Sequence, residues 1–209
     1  MDLRVTNLDG DGIGSEVLTG TEWIRYTPET AGAVEDRVEE FESLNNSAGQ
    51  AAEGFLKKDA LQNAGITRTH LCLSETRVEG FFSCCSASVR LSKRSISRLG
   101  FRTGITTMPA ILVTWVARHR TGTVGGLELM QTAYGLARAA SQTIAAAALV
   151  LDPMDAEVAE VWKSEPYLFQ ESEQKRGNGS RRLWLPLDPK GAEAPAAPEV
   201  KISGDDLRT

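Results

Sequence analysis

The stretch 109–144 constrains this chain more than any other, because an apolar run, a glycine-bearing turn and a long amphipathic segment follow one another without a gap. Residues 109–117 (PAILVTWVA) carry no charge, as expected of a central strand covered on both faces. Residues 121–126 (TGTVGG) supply the turn. Beyond it, Leu129, Met130, Ala133, Leu136, Ala137 and Ala140 fall on one stripe, which predicts a helix over 127–144. A helix start offers unpaired backbone N–H groups and the positive end of a dipole. Glycines let a backbone wrap closely around an anion, so the unit suits a pyrophosphate. Arg118 and Arg120 stand just before the turn and add charged donors. The turn has neither the Gly-Lys-Ser/Thr of a Walker loop nor the GxGxxG spacing of a dinucleotide fold.

Charge points the same way. The chain has 23 Lys/Arg and 28 Asp/Glu, a net of −5, yet residues 90–138 hold eight Lys or Arg and one acid, Glu128. A basic middle inside an acidic chain implies a local anion site. Cys72, Cys84 and Cys85, without a CxxC and with only His70 and His119 beside them, form neither a disulfide framework nor a zinc knuckle. Buried apolar cysteines in strands are expected, and no metal. Nothing near Met1 has the pattern of a signal peptide, and the run 144–151 is far short of the ~20 residues of a membrane helix. A cytoplasmic enzyme or binding protein without a membrane partner is therefore expected.

Residues 1–34 read as a poorly defined N-terminal extension, with Gly10, Gly12 and Gly14 breaking regular structure. A strand is predicted over 37–43, a helix over 48–63 and an antiparallel strand pair over 67–74 and 78–91. The basic residues 93–104 show no periodicity. A buried strand follows over 145–151, then a helix with Asp155 as N-cap and Val158, Val161 and Trp162 on its inner face. Residues 167–172 and 181–187 predict a closing strand pair. From 189 to 209 the Pro/Ala/Glu/Lys composition predicts a mobile tail.

This order of helix, hairpin, strand, glycine turn, helix, strand, helix and strand pair resembles the GNAT N-acyltransferases over roughly residues 41–187. Residues 67–91 (TRTHLCLSETRVEGFFSCCSASVRL) resemble the family's hairpin, with its V-x-G-(Y/F) signature at Val78-Glu79-Gly80-Phe81. The family's turn, Gln/Arg-x-x-Gly-x-Gly/Ala, registers with Thr121 at its first position, Val124 at its first glycine and Gly126 at its last.

The resemblance implies an α/β fold, a mixed and mostly antiparallel central sheet flanked by helices, with residues 35–188 as the acyl-CoA-binding domain. It implies an N-acetyltransferase that moves an acetyl group from acetyl-CoA to an amine. The alternative is a catalytically degenerate GNAT fold that acts by binding a protein or nucleic-acid partner. Cofactor contacts are implied for Thr114, Trp115 and Val116 on the strand and for Arg118, Arg120, Thr121, Gly122, Thr123, Val124, Gly125, Gly126 and Leu127 at the turn. Asp155 and Trp162 would border the thiol end.

Two departures carry expectations of their own. Val124 puts a β-branched side chain where close backbone approach is wanted. Trp162 stands where many members carry a tyrosine that protonates the thiolate, and indole is no acid, so Tyr167 becomes the candidate acid. Glu79 is the candidate base. The leader Phe41-Glu42-Ser43 and Thr67-Arg68-Thr69-His70 resemble the toxin-like GNAT branch, which acetylates aminoacyl-tRNA. The acceptors implied are an amine-bearing small molecule, a protein or an aminoacyl-tRNA. Relatives of this kind often dimerise, which adds a homodimer to the expected partners.

Overall fold

The computed structural model describes residues 2–3, 21–101, 104–175 and 180–187. The glycine-rich stretch near residue 12 and the tail from 189 lie outside them. One sheet organises the chain. Its strands are β1 (Asp2–Leu3), β2 (Glu22–Tyr26), β3 (Arg68–Leu73), β4 (Val78–Arg90), β5 (Thr107–Arg118), β6 (Ala148–Leu151), β7 (Gln170–Lys175) and β8 (Arg181–Pro186). Their spatial order is β1-β2-β3-β4-β5-β6-β8-β7, antiparallel throughout except for the parallel β5–β6 pair. This is the mixed, mostly antiparallel α/β sheet expected from the sequence. Glu22–Tyr26, within the stretch read as an extension, is a paired strand of it.

Helix α5 (Gly126–Ile144) returns the chain from β5 to β6, and α6 (Ala156–Lys163) follows β6. Leu129, Met130, Ala133 and Ala137 of the predicted stripe are buried, together with Phe82, Val113, Leu149, Leu151 and Leu183. The other sheet face is covered near the amino end by α2 (Glu35–Glu39) and α3 (Ser47–Gly54). The latter widens into a π-turn over Phe55–Asp59, closed by Ala60 N–H to the Phe55 carbonyl. Val34, Val38, Phe41, Phe55, Phe81 and Leu71 pack there. α1 (Pro28–Ala31) begins on a Pro at its first turn.

Two expectations change. Residues 37–43 are not a strand: Glu35–Glu39 is helical and an extended leader follows. The buried residues Val34, Val38 and Phe41 recur at helical spacing, and that burial outweighs the β-branched character of the stretch. Residues 93–98 form a short helix, α4, whose start is capped by Ser92 accepting from Ser95 N–H and whose Ile96 is buried. Among the described residues, no helix is long and apolar enough to cross a membrane.

Candidate functional site: a parted strand and an amide-presenting turn

β5 has a full partner in β4 but only half a partner in β6. On the β6 side it pairs through Ala110, Ile111, Leu112 and Val113, and β6 ends at Leu151. From Thr114 to Arg118 that edge of β5 has no strand beside it among the described residues, so its backbone groups are left for another partner. The pairing with β4 shifts at the same level. Ser83 faces Trp115 and Cys84 faces Val113, so Thr114 is an extra residue. Its hydroxyl donates to the Ser83 carbonyl at 3.1 Å.

Such a bulge resets the strand's alternation. Val113 and Val116 both pack on the α5 face, whereas Trp115 and Ala117 turn to the other face. There Trp115 stacks on Phe55 at 5.1 Å. Continued alternation gives Arg118 to the α5 face, beside the helix start.

The turn after β5 is held by charge from a distant strand. Glu79 of β4 is 2% exposed. One carboxylate oxygen accepts from Arg77 Nε at 2.8 Å and the other from Thr123 N–H at 2.9 Å. Arg77 continues to Thr121, donating to its hydroxyl and its carbonyl at 3.3 Å each. Burial pushes the Glu79 carboxyl upward, but the donors Arg77, Thr123 N–H and Ser74, with the Arg77 charge, outweigh it and hold its pKa below the ordinary value. His119 accepts from Thr121 N–H at Nδ1 and donates its own N–H to the Glu79 carbonyl. Burial and the charge of Arg77 lower its pKa against the pull of Glu79.

Gly122 is required by this cage. A Cβ there would stand 2.7 Å from Glu79 Oε2 and 3.1 Å from both the Glu79 carbonyl and His119 Cβ. The hairpin signature has the same logic. At Gly80 a Cβ would meet the Ala117 carbonyl and the Leu129 side chain at 3.0 Å, so the glycine lets α5 sit close on the sheet.

The leader docks on the turn from the other side. Arg120 donates its N–H to the Glu42 carbonyl and pairs with the Glu42 carboxylate at 2.5 Å. Phe41 lies edge-on to His119. Of the two arginines expected to meet an anion, Arg120 thus bridges to the leader, while Arg118 has no carboxylate partner among the described residues.

At the start of α5, Gly125 is the N-cap and no side chain caps it. Among the described residues, the N–H groups of Val124, Gly126 and Leu127 have no protein acceptor, the first bond of the helix being Leu129 N–H to the Gly125 carbonyl. Val124 is 1% exposed and packs with Leu129 and Met130. Its side chain points into the core and the whole residue is almost inaccessible, whereas Gly125, Gly126 and Leu127 keep exposed surface. A Cβ on Gly125 would meet nothing within 4 Å, and one on Gly126 only the Tyr167 hydroxyl at 3.5 Å. Tyr167 therefore stands over the helix start. Trp162 lies edge-on to it at 4.6 Å and packs against the core, and burial raises the Tyr167 pKa. Asp155 caps α6 by accepting from Val158 N–H.

The unpaired amides of Gly126 and Leu127, a cationic neighbour and an open strand edge fit a chain-like ligand with a pyrophosphate. A mixed sheet parted after a bulge, with this turn at the parted end, has the GNAT-like architecture expected from the sequence. Solved structures share the fold. A tyrosine-to-phenylalanine variant of KacT matches with a TM-score of 0.62 at 15% identity, over 81% of this chain and 96% of that one. AtaTR bound with AcCoA matches at 0.58 and 17%, over 81% and 95%. AtaT complexed with acetyl-methionyl-tRNAfMet matches at 0.57 and 16%, over 71% and 86%. No protein-family model and no curated protein matches the sequence.

Proposed function

We propose that this protein is an N-acetyltransferase that uses acetyl-CoA. The observation that carries the reading is the unpartnered half of β5, which runs from the Thr114 bulge to a turn with free amides. The amides of Gly126 and Leu127 and the guanidinium of Arg118 would hold the pyrophosphate, with Leu127 and the Gly125–Gly126 backbone as the cradle wall and Val124 anchoring the turn in the core. Thr121, Gly122, Thr123 and Arg120 shape the turn. The open edge at Thr114, Trp115 and Val116 would hydrogen-bond the amide-bearing arm, with Asp155 and Trp162 along its outer side. Acetyl-CoA, when bound, supplies a thioester whose carbonyl carbon an amine attacks, the C–S bond breaking as the new C–N bond forms. The strand amides near the bulge would donate to the developing oxyanion.

Glu79 is assigned to holding the turn rather than to taking a proton, because both its oxygens are engaged and its basicity is lowered. Water is left to take the ammonium proton. Tyr167 is assigned to the phosphate end. Leu129 packs against Gly80, which pairs with Arg118, so the start of α5 lies level with the end of β5. The sulfur would lie near Thr114, about 13 Å along the strand from there. The Tyr167 hydroxyl then acts as one more donor to the anion.

An aminoacyl-tRNA is the acceptor this reading favours, since the similar AtaT structure holds acetyl-methionyl-tRNAfMet; such an acceptor makes the protein cytoplasmic. Calorimetry with acetyl-CoA followed by CoA release with a panel of amines tests the proposal. Micromolar binding with CoA release is expected. No binding at millimolar acetyl-CoA refutes it. Binding without release for any amine, including aminoacyl-tRNA, favours the non-catalytic alternative.

A further inference from the structure

β5 and β6 are joined over a short distance. Their parallel ladder runs from the pair Ala110–Ala148 to the pair Val113–Leu151 and stops there. Two features end it. Thr114 is the extra residue that shifts β5 against β4, and Pro153, just beyond β6, has no N–H with which to carry the ladder on. Pro153 is buried, and its carbonyl accepts from the Ser180 hydroxyl at 3.3 Å. Neither feature keeps the strands from parting earlier, and a ladder this short would fray from its open end toward its start.

Asp152 stands between the last pair and that proline. Its two carboxylate oxygens accept from Nε and Nη2 of Arg182 at 2.7 Å each, and Nη1 of the same guanidinium donates to the Ser88 carbonyl at 2.7 Å. Arg182 is on β8 and Ser88 on β4, with β5 and β6 between them in the sheet. One side chain therefore links the two sides of the parting. It lies on the face away from α5, because Leu183 packs in the α5 core while Trp184, two residues from Arg182, packs with Ala110 and Val150 on the other face. On the α5 face Val113, Leu149 and Leu151 hold the joint by apolar packing. On the opposite face the packing of β6 ends at Val150, and the ion pair takes over from there.

The two side chains are only 8% and 15% exposed. Burying two charges stabilises a fold little more than apolar residues of the same size would, because desolvation offsets the attraction. What such a pair can supply is register. Three directed bonds from one planar guanidinium fix a spacing between strands that sliding apolar contacts leave free.

We propose that Arg182 and Asp152 are positioning residues, which tether β4 to the chain leaving β6 and so fix at Leu151 the point where β5 and β6 part. The inference rests on the acetyltransferase reading only for what the open edge receives, the arm of acetyl-CoA with its thioester near Thr114. A parting that slides toward Ala110 leaves that arm without a fixed end. The phosphate end, at the start of α5, is untouched by such a slide.

Asp152→Leu combined with Arg182→Met removes the tether and fills its place with apolar atoms, so Tm should stay within about 4 °C of the wild type. Hydrogen exchange of the full chain without ligand, read by mass spectrometry, then reports on the ladder. Peptides covering 110–114 and 148–152 should exchange at least about tenfold faster, and those covering 69–73 at the wild-type rate. In calorimetry, acetyl-CoA should bind at least about fivefold more weakly, as for the loss of one hydrogen bond. Binding of 3′-phospho-ADP, which has the phosphates but no arm, should stay within about twofold. Arg182→Lys keeps a cation for Asp152 without the three-way geometry and should show the same local acceleration, so it carries the test if the double variant does not fold. Unchanged exchange at 110–114 and 148–152, acceleration of all strands alike, or equal weakening of both ligands overturns the proposal. If the wild type does not bind acetyl-CoA while the local acceleration is seen, the acetyltransferase reading falls and the tether stands. If acetyl-CoA binds and the exchange is unchanged, the tether falls alone.

Discussion

Gly122→Ala is the substitution for which the structure makes the sharpest demand. The new methyl would sit 2.7 Å from Glu79 Oε2, 3.1 Å from the Glu79 carbonyl and 3.1 Å from His119 Cβ. Two of these three atoms belong to, or are fixed by, the backbone. The third is clamped between Arg77 and Thr123 N–H. Relief therefore has to come from displacing either the carboxylate or the turn. Overpacking of this kind costs about 1–3 kcal/mol, and losing a hydrogen bond to a charged group about 1.5–3 kcal/mol. Both losses describe one displacement, so about 2–3 kcal/mol is expected in total. For a chain of this size that lowers Tm by roughly 4–12 °C. Because the proposed pyrophosphate donors, the amides of Gly126 and Leu127, follow directly on the turn, acetyl-CoA affinity should fall at least about tenfold, which is 1.4 kcal/mol. Gly125→Ala is the control for stability alone: its methyl meets nothing within 4 Å and its backbone is already extended, so only the weaker N-cap preference of alanine is lost, about 1 kcal/mol at most. Differential scanning calorimetry and titration with acetyl-CoA read both effects. A Gly122→Ala protein that melts and binds like the wild type, or a Gly125→Ala protein whose Tm falls as far, would refute the idea that the Glu79 cage sets the turn.

Three further outcomes are expected. Burial, with the charges of Arg25 and Arg68, lowers the His70 pKa to about 4, and the unfolded chain returns it to near 6.5. The unfolded state then binds the extra proton, so stability present above pH 6.5 is lost as the pH falls toward 4, by at most about 3 kcal/mol. His70→Phe, which keeps a ring against Phe82 and removes the unpaired Nδ1, should flatten denaturant midpoints between those pH values. Asp152→Asn leaves the largely buried Arg182 without its bidentate partner and should cost about 3 kcal/mol or more, seen as a Tm lower by roughly 6 °C or more; an unchanged Tm contradicts that. For Tyr167→Phe, a donor at the phosphate end predicts acetyl-CoA binding about fivefold weaker with kcat little changed, since one hydrogen bond is worth about 1 kcal/mol. A hundredfold fall in kcat with unchanged affinity would return Tyr167 to the role of acid.

The centre of the fold was legible because its physics is local. A strand covered on both faces must be apolar without interruption, and a helix lying on it must carry one stripe, so 109–144 announced β5 and α5 to within two residues. Local patterns failed where burial came from elsewhere. Glu22–Tyr26 has buried residues on both faces and thus no clean alternation to read. The strand expected over 37–43 gives way to a helix over 35–39 because the stripe that makes it helical, Val34, Val38 and Phe41, begins before the helix and ends after it.

The site divides in the same way. That the turn would present amides followed from its glycines and its helix, but which glycine was indispensable did not, because the atom that excludes a side chain at Gly122 belongs to Glu79, far back in the chain. Nor does the sequence mark Thr114, although that one extra residue gives Val116 and Arg118 to the helix face and Trp115 to the opposite one. Glu79 shows how a buried carboxylate and the turn depend on one another. A carboxylate with almost no exposure needs donors for both oxygens, or it would not stay charged. The donors that meet this need are Arg77 and the turn's own Thr123 N–H. Burying Glu79 and shaping the turn are therefore one event, so a carboxylate on β4 fixes the backbone of a turn that begins some forty residues later.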